Sequence, residues 1–91
     1  MNYRFKTTPA FRKALSKLPS SQKASAKKAF AIFKQDPFDP RLRTHKIHQL
    51  SALYKETIYA VRVEGDLRSI FYINGENVIS LDIGTHAIYR S

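Results

Sequence analysis

The chain contains no cysteine, which excludes a disulfide framework, a thiolate metal site and a cysteine nucleophile. It also lacks a long apolar run. The longest, "AFAIF" from Ala29 to Phe33, is far shorter than the roughly 20 residues of a spanning helix and shorter than a signal-peptide core. A cytoplasmic protein that does not enter a membrane is therefore expected. No internal repeat and no low-complexity tract is found. Acidic residues are scarce: seven Asp and Glu stand against sixteen Lys and Arg, a formal charge of +9 on 91 residues. Such a field on a small surface repels itself and favours a polyanionic partner, whether nucleic acid, an acidic protein or an anionic surface.

What remains is ordinary for a folded domain. Hydrophobic residues make up 43% and charged residues 25% of the chain, which argues against disorder. A length of 91 residues predicts one domain over 1–91 with one modest core. "NYRFKT", Asn2 to Thr7, alternates and sets Tyr3 and Phe5 on one side of a half-buried strand. Thr8 then suits a helix cap and Pro9 a first helical position. Phe11, Leu15 and Leu18 recur as an apolar helical stripe, closed by Pro19. Ser20 or Ser21 is expected to cap a second helix, running to about Gln35 and stopped by "DPFDP". Its apolar side carries Ala26, Ala29, Phe30 and Phe33, and Lys23, Lys27 and Lys34 share a flank. That flank reads as a solvated face, or as a seat for an acidic partner or phosphate backbone.

"DPRLRTHKIHQL" reads as a loop, and long loops often carry function. Three strands follow, "TIYAVRV", "LRSIFYI" and "NVISLDI", with turns at "EGD" and near "NGE". The order β-α-α-β-β-β predicts an α+β fold, a helical hairpin packed on one face of a small, mainly antiparallel sheet. The opposite face would then be free for a ligand.

Side chains alternate along a strand, so parity assigns faces. The arrangement that keeps Arg62, Arg68 and Asp82 off the core places Val61, Val63, Leu67, Phe71, Ile73, Ile79, Leu81 and Ile83 on it. It requires an odd number of residues in each hairpin loop. "NG" by itself favours a two-residue turn, but that register would turn Ile79 and Leu81 away from the helices, so the hydrophobic pattern is preferred. Phe30, Phe33, Phe71 and Leu81 are expected to be buried. Arg62 and Arg68 then face each other on neighbouring strands, where like charges are destabilising. An external anion, or Asp66, Asp82 or a terminal carboxylate, would compensate them. The same parity brings Gly84 and His86 to the arginine face.

Two arginines, a histidine and a tyrosine without metal-ligand spacing suit metal-free phosphodiester cleavage, so no metal or cofactor is expected. The RNA 2′-hydroxyl can attack the adjacent phosphate if a base and an acid move the protons and cations hold the developing charge. Arginine fits phosphate oxygens, histidine titrates near neutrality, and Tyr89 could stack on a base or orient the phosphate. The loop histidines His45 and His48 could complete an acid–base pair. Arg41, Arg43 and Lys46 in the loop and Arg90 at the chain end are candidate RNA-phosphate contacts.

The segments "DPRLRTHKI", "YAVRVEGDLRSIFYI" and "LDIGTHAIYR" resemble the RelE/ParE superfamily of type II toxin–antitoxin toxins, and the resemblance extends over nearly the whole chain. It implies a RelE-like fold and a ribosome-dependent mRNA interferase that inhibits translation by cutting mRNA in the ribosomal A site. It also implies an acidic cognate antitoxin and a hetero-oligomeric complex. Arg68 matches the arginine of the family's "YR-V-Y" strand, Arg62 a basic position one strand earlier, His86 the catalytic position after the last strand, and Tyr89 the aromatic near the terminus. His45 and Asp66 match residues catalytic in the YafQ-like branch. Ala87 stands where relatives commonly carry Asp, a carboxylate that could orient or charge the histidine. A catalytically impaired RNA-binding variant is therefore one alternative, and a ParE-like inhibitor of DNA gyrase is another.

Overall fold

The computed structural model describes residues 2–90, except the Arg90 side chain. Strand β1 spans Arg4–Thr7, helix α1 Pro9–Ser16 and helix α2 Ser20–Gln35. A 3-10 turn at Pro40–Leu42 leads to the two-residue strand β2, His45–Lys46, and a short helix α3, His48–Tyr54. Strands β3 (Tyr59–Glu64), β4 (Leu67–Asn74) and β5 (Asn77–Gly84) follow, then a second 3-10 turn, His86–Arg90. The sheet order is β1-β5-β4-β3-β2, with β1 parallel to β5 and the other pairs antiparallel. The α+β arrangement and the helical hairpin are as expected from the sequence. Among the described residues no helix is long and apolar enough to cross a membrane.

Local chemistry accounts for the first helix. Thr8 caps α1 by accepting from the Phe11 amide at 3.0 Å, and Pro9 occupies its first turn. Neither serine caps α2. Pro19 takes that place without a side-chain bond, and its carbonyl accepts from the Lys23 amide at 2.9 Å.

The hairpin face holds the main core. Phe33 meets Phe71 edge-on at 4.9 Å, and Phe5, Phe30 and Tyr59 extend the aromatic cluster. Phe33 and Phe71 are buried as expected, whereas Phe30 and Leu81 are only half-buried.

Strand β5 corrects the expected register. Asn74 pairs with Asn77, so Gly75 and Glu76 form the two-residue turn that the dipeptide favoured. Gly75 adopts φ +62, which that turn requires. Ser80 pairs with Phe71 and Asp82 with Ile70, leaving Leu81 as an extra bulged residue. Below the bulge Val78 enters the hairpin core, and beyond it Ile83 does. Leu81 joins a second cluster instead, and the register puts Ile79 beside Tyr72 on that same side. The Leu81 carbonyl accepts from the Thr8 hydroxyl at 2.9 Å. One threonine thus caps α1 and satisfies the bulge. At the other hairpin Glu64 pairs with Leu67, and a bulge at Val63 replaces the expected three-residue loop. Arg62 still falls opposite Arg68.

The second cluster lies on the face expected to be free. Leu50 of α3 packs on Ile58, Ala60 and Ile70, with Ile47, Tyr72, Leu81, Ile88 and Tyr89 around it. "HQLSALY" folds as a helix because Leu50 is 1% exposed over this patch. Ser51 joins the helix to β3 by donating to the Ile47 carbonyl and accepting from the Ile58 amide. Arg62 and Arg68 lie on that face outside this cluster.

Candidate active site

Adjacent rows of the sheet bring the chemistry together. His45, Ala60, Ile70 and Asp82 align across four strands in one row, and Arg62, Arg68 and Gly84 align in the next. Directly opposed residues share a face, so His45, Arg62 and Arg68 project to the same side. His45 lies two strand spacings and one row from Arg68, roughly 12 Å.

Gly84 ends β5, and the final 3-10 turn folds back over it. A Cβ on Gly84 would stand 2.7 Å from Cγ2 of Ile88. Glycine therefore permits the close approach that sets His86 and Tyr89 beside Arg68. The backbone turns sharply here instead of remaining extended, with the Ile88 amide donating to the Thr85 carbonyl.

His86 donates from Nδ1 to the Asp66 carboxylate in the β3–β4 turn, and the His86 amide also points to that carboxylate at 3.4 Å. The imidazole N–H beside Asp66 holds this carboxyl below its ordinary range, and the Arg68 charge adds to the effect. A carboxylate thus orients His86, but it comes from Asp66. Ala87 contributes no side-chain chemistry, and its amide bonds Thr85 Oγ1. In His45 too, Nδ1 donates to a backbone carbonyl, that of Arg43, at 2.9 Å. Both rings are anchored through Nδ1, which leaves Nε2 for proton exchange.

Arg68 donates to the Gly65 carbonyl at 2.6 Å, which ties it to the same turn. Among the described residues no carboxylate forms a salt bridge with Arg62 or Arg68. Asp66 is engaged by His86, and Asp82 accepts from the Ile83 amide. Among the described residues the two opposed cations therefore lack a direct ion-pair partner, the condition under which an external anion is favoured; the terminal carboxylate lies outside the described residues.

Tyr89 is packed rather than open for stacking. Its ring meets His86 edge-on at 5.1 Å and joins the α3 cluster. Burial raises its phenol above the ordinary value, and the Arg68 cation opposes the shift. Among the described residues the buried hydroxyl has no hydrogen bond of normal geometry, although Arg68 is close enough to act on it. It stays protonated near neutral pH.

The other candidates disperse. Lys46 pairs with Tyr59, which puts it on the hairpin side of the sheet. Arg41 is held by Asp39 through two bonds of 3.0 Å. Arg43 caps the 3-10 turn at φ 51, and its carbonyl holds His45. The Arg90 side chain lies outside the described residues. Among the described residues no group of three or more His, Asp or Glu stands close enough to hold a metal ion. Sequence reasoning missed α3; the Leu50–Leu53 spacing in "HQLSALY" was the available signal, and it is short.

No family model and no curated protein sequence matches the chain. Solved structures do match. RelE in the archaeal RelE–RelB complex from Pyrococcus horikoshii superposes with a TM-score of 0.71 at 22% identity, covering 93% of this chain and 96% of that one. YafQ from Escherichia coli gives 0.72 at 16% identity, covering 98% and 99%. The RelBE2 toxin–antitoxin complex from Mycobacterium tuberculosis gives 0.68 at 21% identity, covering 93% and 99%. The chain has the fold of the RelE and YafQ toxins.

Proposed function

We propose that the protein is the toxin of a type II toxin–antitoxin pair and that it cleaves mRNA on the ribosome. The observation that carries this reading is the Arg62–Arg68 couple, without a salt bridge among the described residues, beside a histidine held by a carboxylate. A phosphodiester placed over the couple would supply the missing anion. One of His86 and His45 takes the 2′-hydroxyl proton through Nε2, and the other protonates the departing 5′-oxygen. The 2′-oxygen bonds to phosphorus as the 5′-oxygen leaves. Arg68 and Arg62 stabilise the charge on the phosphoryl oxygens. Asp66 orients His86, while Tyr89 backs the ring.

The partner is an acidic antitoxin. An apolar groove of about 880 Å³ between α1, α2 and β1 includes Phe11, Leu15 and Phe30. Lys6, Arg12, Lys23, Lys27 and Lys34 also line it, with no carboxylate among the lining residues. An amphipathic acidic segment complements both features. The groove lies on the hairpin side, away from the arginine row, and matched solved structures include toxins bound to antitoxins.

The test is a translating extract in which mRNA ends are mapped after addition of the protein, run beside a gyrase supercoiling reaction. New ends within the translated frame, with supercoiling intact, are expected. Intact mRNA with blocked supercoiling would replace this reading with the gyrase alternative.

A further inference from the structure

The β2 strand pairs only with Tyr59 and Ala60, so from Val61 onward β3 is the edge of the sheet. Helix α2 and the Pro40–Leu42 turn flank this edge. They enclose a small cleft of about 190 Å³ lined by Ser25, Lys28, Arg41 and Arg62, with Leu42 and Val63 among its apolar residues. That volume is below the ~300 Å³ typical of pockets for drug-sized ligands and suits a small polar group.

The charge in the cleft has one sign. Lys28, Arg41 and Arg62 contribute three cations, and no carboxylate is among the lining residues. Asp39 fixes Arg41 through Nε and NH2 but leaves NH1 outside that clamp. Lys28 and Arg62 have no salt bridge among the described residues. Arg62 also stands opposite Arg68 in the row described above. The cations therefore continue from Arg68 through Arg62, around the β3 edge, to Arg41 and Lys28.

We propose that this cleft binds a backbone phosphate of single-stranded RNA flanking the cleaved linkage, so that the strand bends around the β3 edge. The proposal rests on the reading of the arginine face as an RNA site, and it gives two residues outside the arginine row a shared role. Arg41, read from sequence as a phosphate contact, acts here rather than beside His86. Lys28, outside the lysine flank noted in the sequence, acts with it.

The experiment measures binding of a fluorescent 2′-O-methyl uridine dodecamer, which cannot be cleaved, over a series of salt concentrations. Each lost single-strand phosphate contact lowers the log–log salt slope by about 0.7. Lys28→Gln is expected to lower it by about 0.7, and Lys28→Gln with Arg41→Gln by about 1.4. The control pair Lys13→Gln on α1 and Lys17→Gln at its C-cap, both outside the cleft, is expected to leave the slope near that of the parent. An equal fall in the control would mean diffuse attraction and overturn the cleft, as would an unchanged slope in the Lys28 variant. A polyglutamate peptide is titrated in parallel; loss of peptide binding with RNA binding intact would assign the cleft to an acidic protein and overturn the proposal. Lys28 is exposed, so the single variant stays informative even if Arg41→Gln disturbs its turn. A parent that binds RNA with this lysine dependence yet cuts no mRNA would leave the cleft standing and remove the ribonuclease reading.

Discussion

Asp66 and His86, twenty residues apart in sequence, meet as a carboxylate–imidazole pair that joins the β3–β4 turn to the end of the chain. The contact explains how a histidine followed by Ala87 can still be oriented. It also couples the turn that carries Asp66 to a segment that carries the proposed proton transfer.

Asp66→Asn should therefore impair cleavage by roughly 10-fold or more while the fold persists, since it weakens the orientation of a general acid or base. Because the folded carboxyl lies below its ordinary value of 3.8, the pair adds stability above that pH, lost as pH falls through the lower folded value. Thermal unfolding of parent and variant should converge in acid. A constant difference at every pH would show that Asp66 acts otherwise.

Replacing the reacting groups should cost more. His86→Gln and Arg68→Ala are each expected to reduce mRNA cleavage by about 10²–10⁴-fold. His86→Gln should unfold slightly below the parent, since it breaks the same exposed pair with Asp66. Arg68→Ala also removes the bond to the Gly65 carbonyl, so a modest loss of stability should accompany it. Antitoxin capture should survive in both, because the groove lies on the hairpin side. Parent-like cleavage by the His86 variant would shift the chemistry to His45.

Gly84→Ala tests the close approach directly. The new methyl group meets Ile88 and should displace the turn that carries His86 and Tyr89. Activity should fall by more than stability, with mapped mRNA ends and a melting curve as paired readouts. A double variant that also carries Ile88→Ala should recover part of the lost activity.

The main core has one dominant aromatic. Phe71 is fully buried between Phe33 and Tyr59, and Phe71→Ala should cost about 3–5 kcal/mol in urea unfolding. A shift below about 1 kcal/mol would contradict that packing.

Thr8→Val should remove two bonds at once, the α1 cap and the donor to the bulged Leu81 carbonyl. A loss of about 1–3 kcal/mol is expected. Faster amide exchange around Ser80–Asp82, more than elsewhere in β5, would locate the effect at the bulge.

Local pattern was enough to indicate the first strand, the helical hairpin and three later strands, because each shows a period of 3.6 or 2. It was also enough to set Arg62 opposite Arg68, since burying a charged face is prohibitive whatever the exact turn. It could not place β5. Ile79, Leu81 and Ile83 are apolar on one parity and Val78 alone on the other, so the pattern pointed Ile79 and Leu81 to the hairpin core. The choice fell to the two-residue turn, the Leu81 bulge and the second cluster under α3. Helix α3 itself has seven residues and no side-chain cap, too little to announce a helix, and it depends on Leu50 finding Ile58 and Ile70. The Asp66–His86 pair was beyond local reading for the same reason. Only the folded sheet brings a turn and a chain end together, and only the fold of Gly84 under Ile88 aims the histidine at that turn.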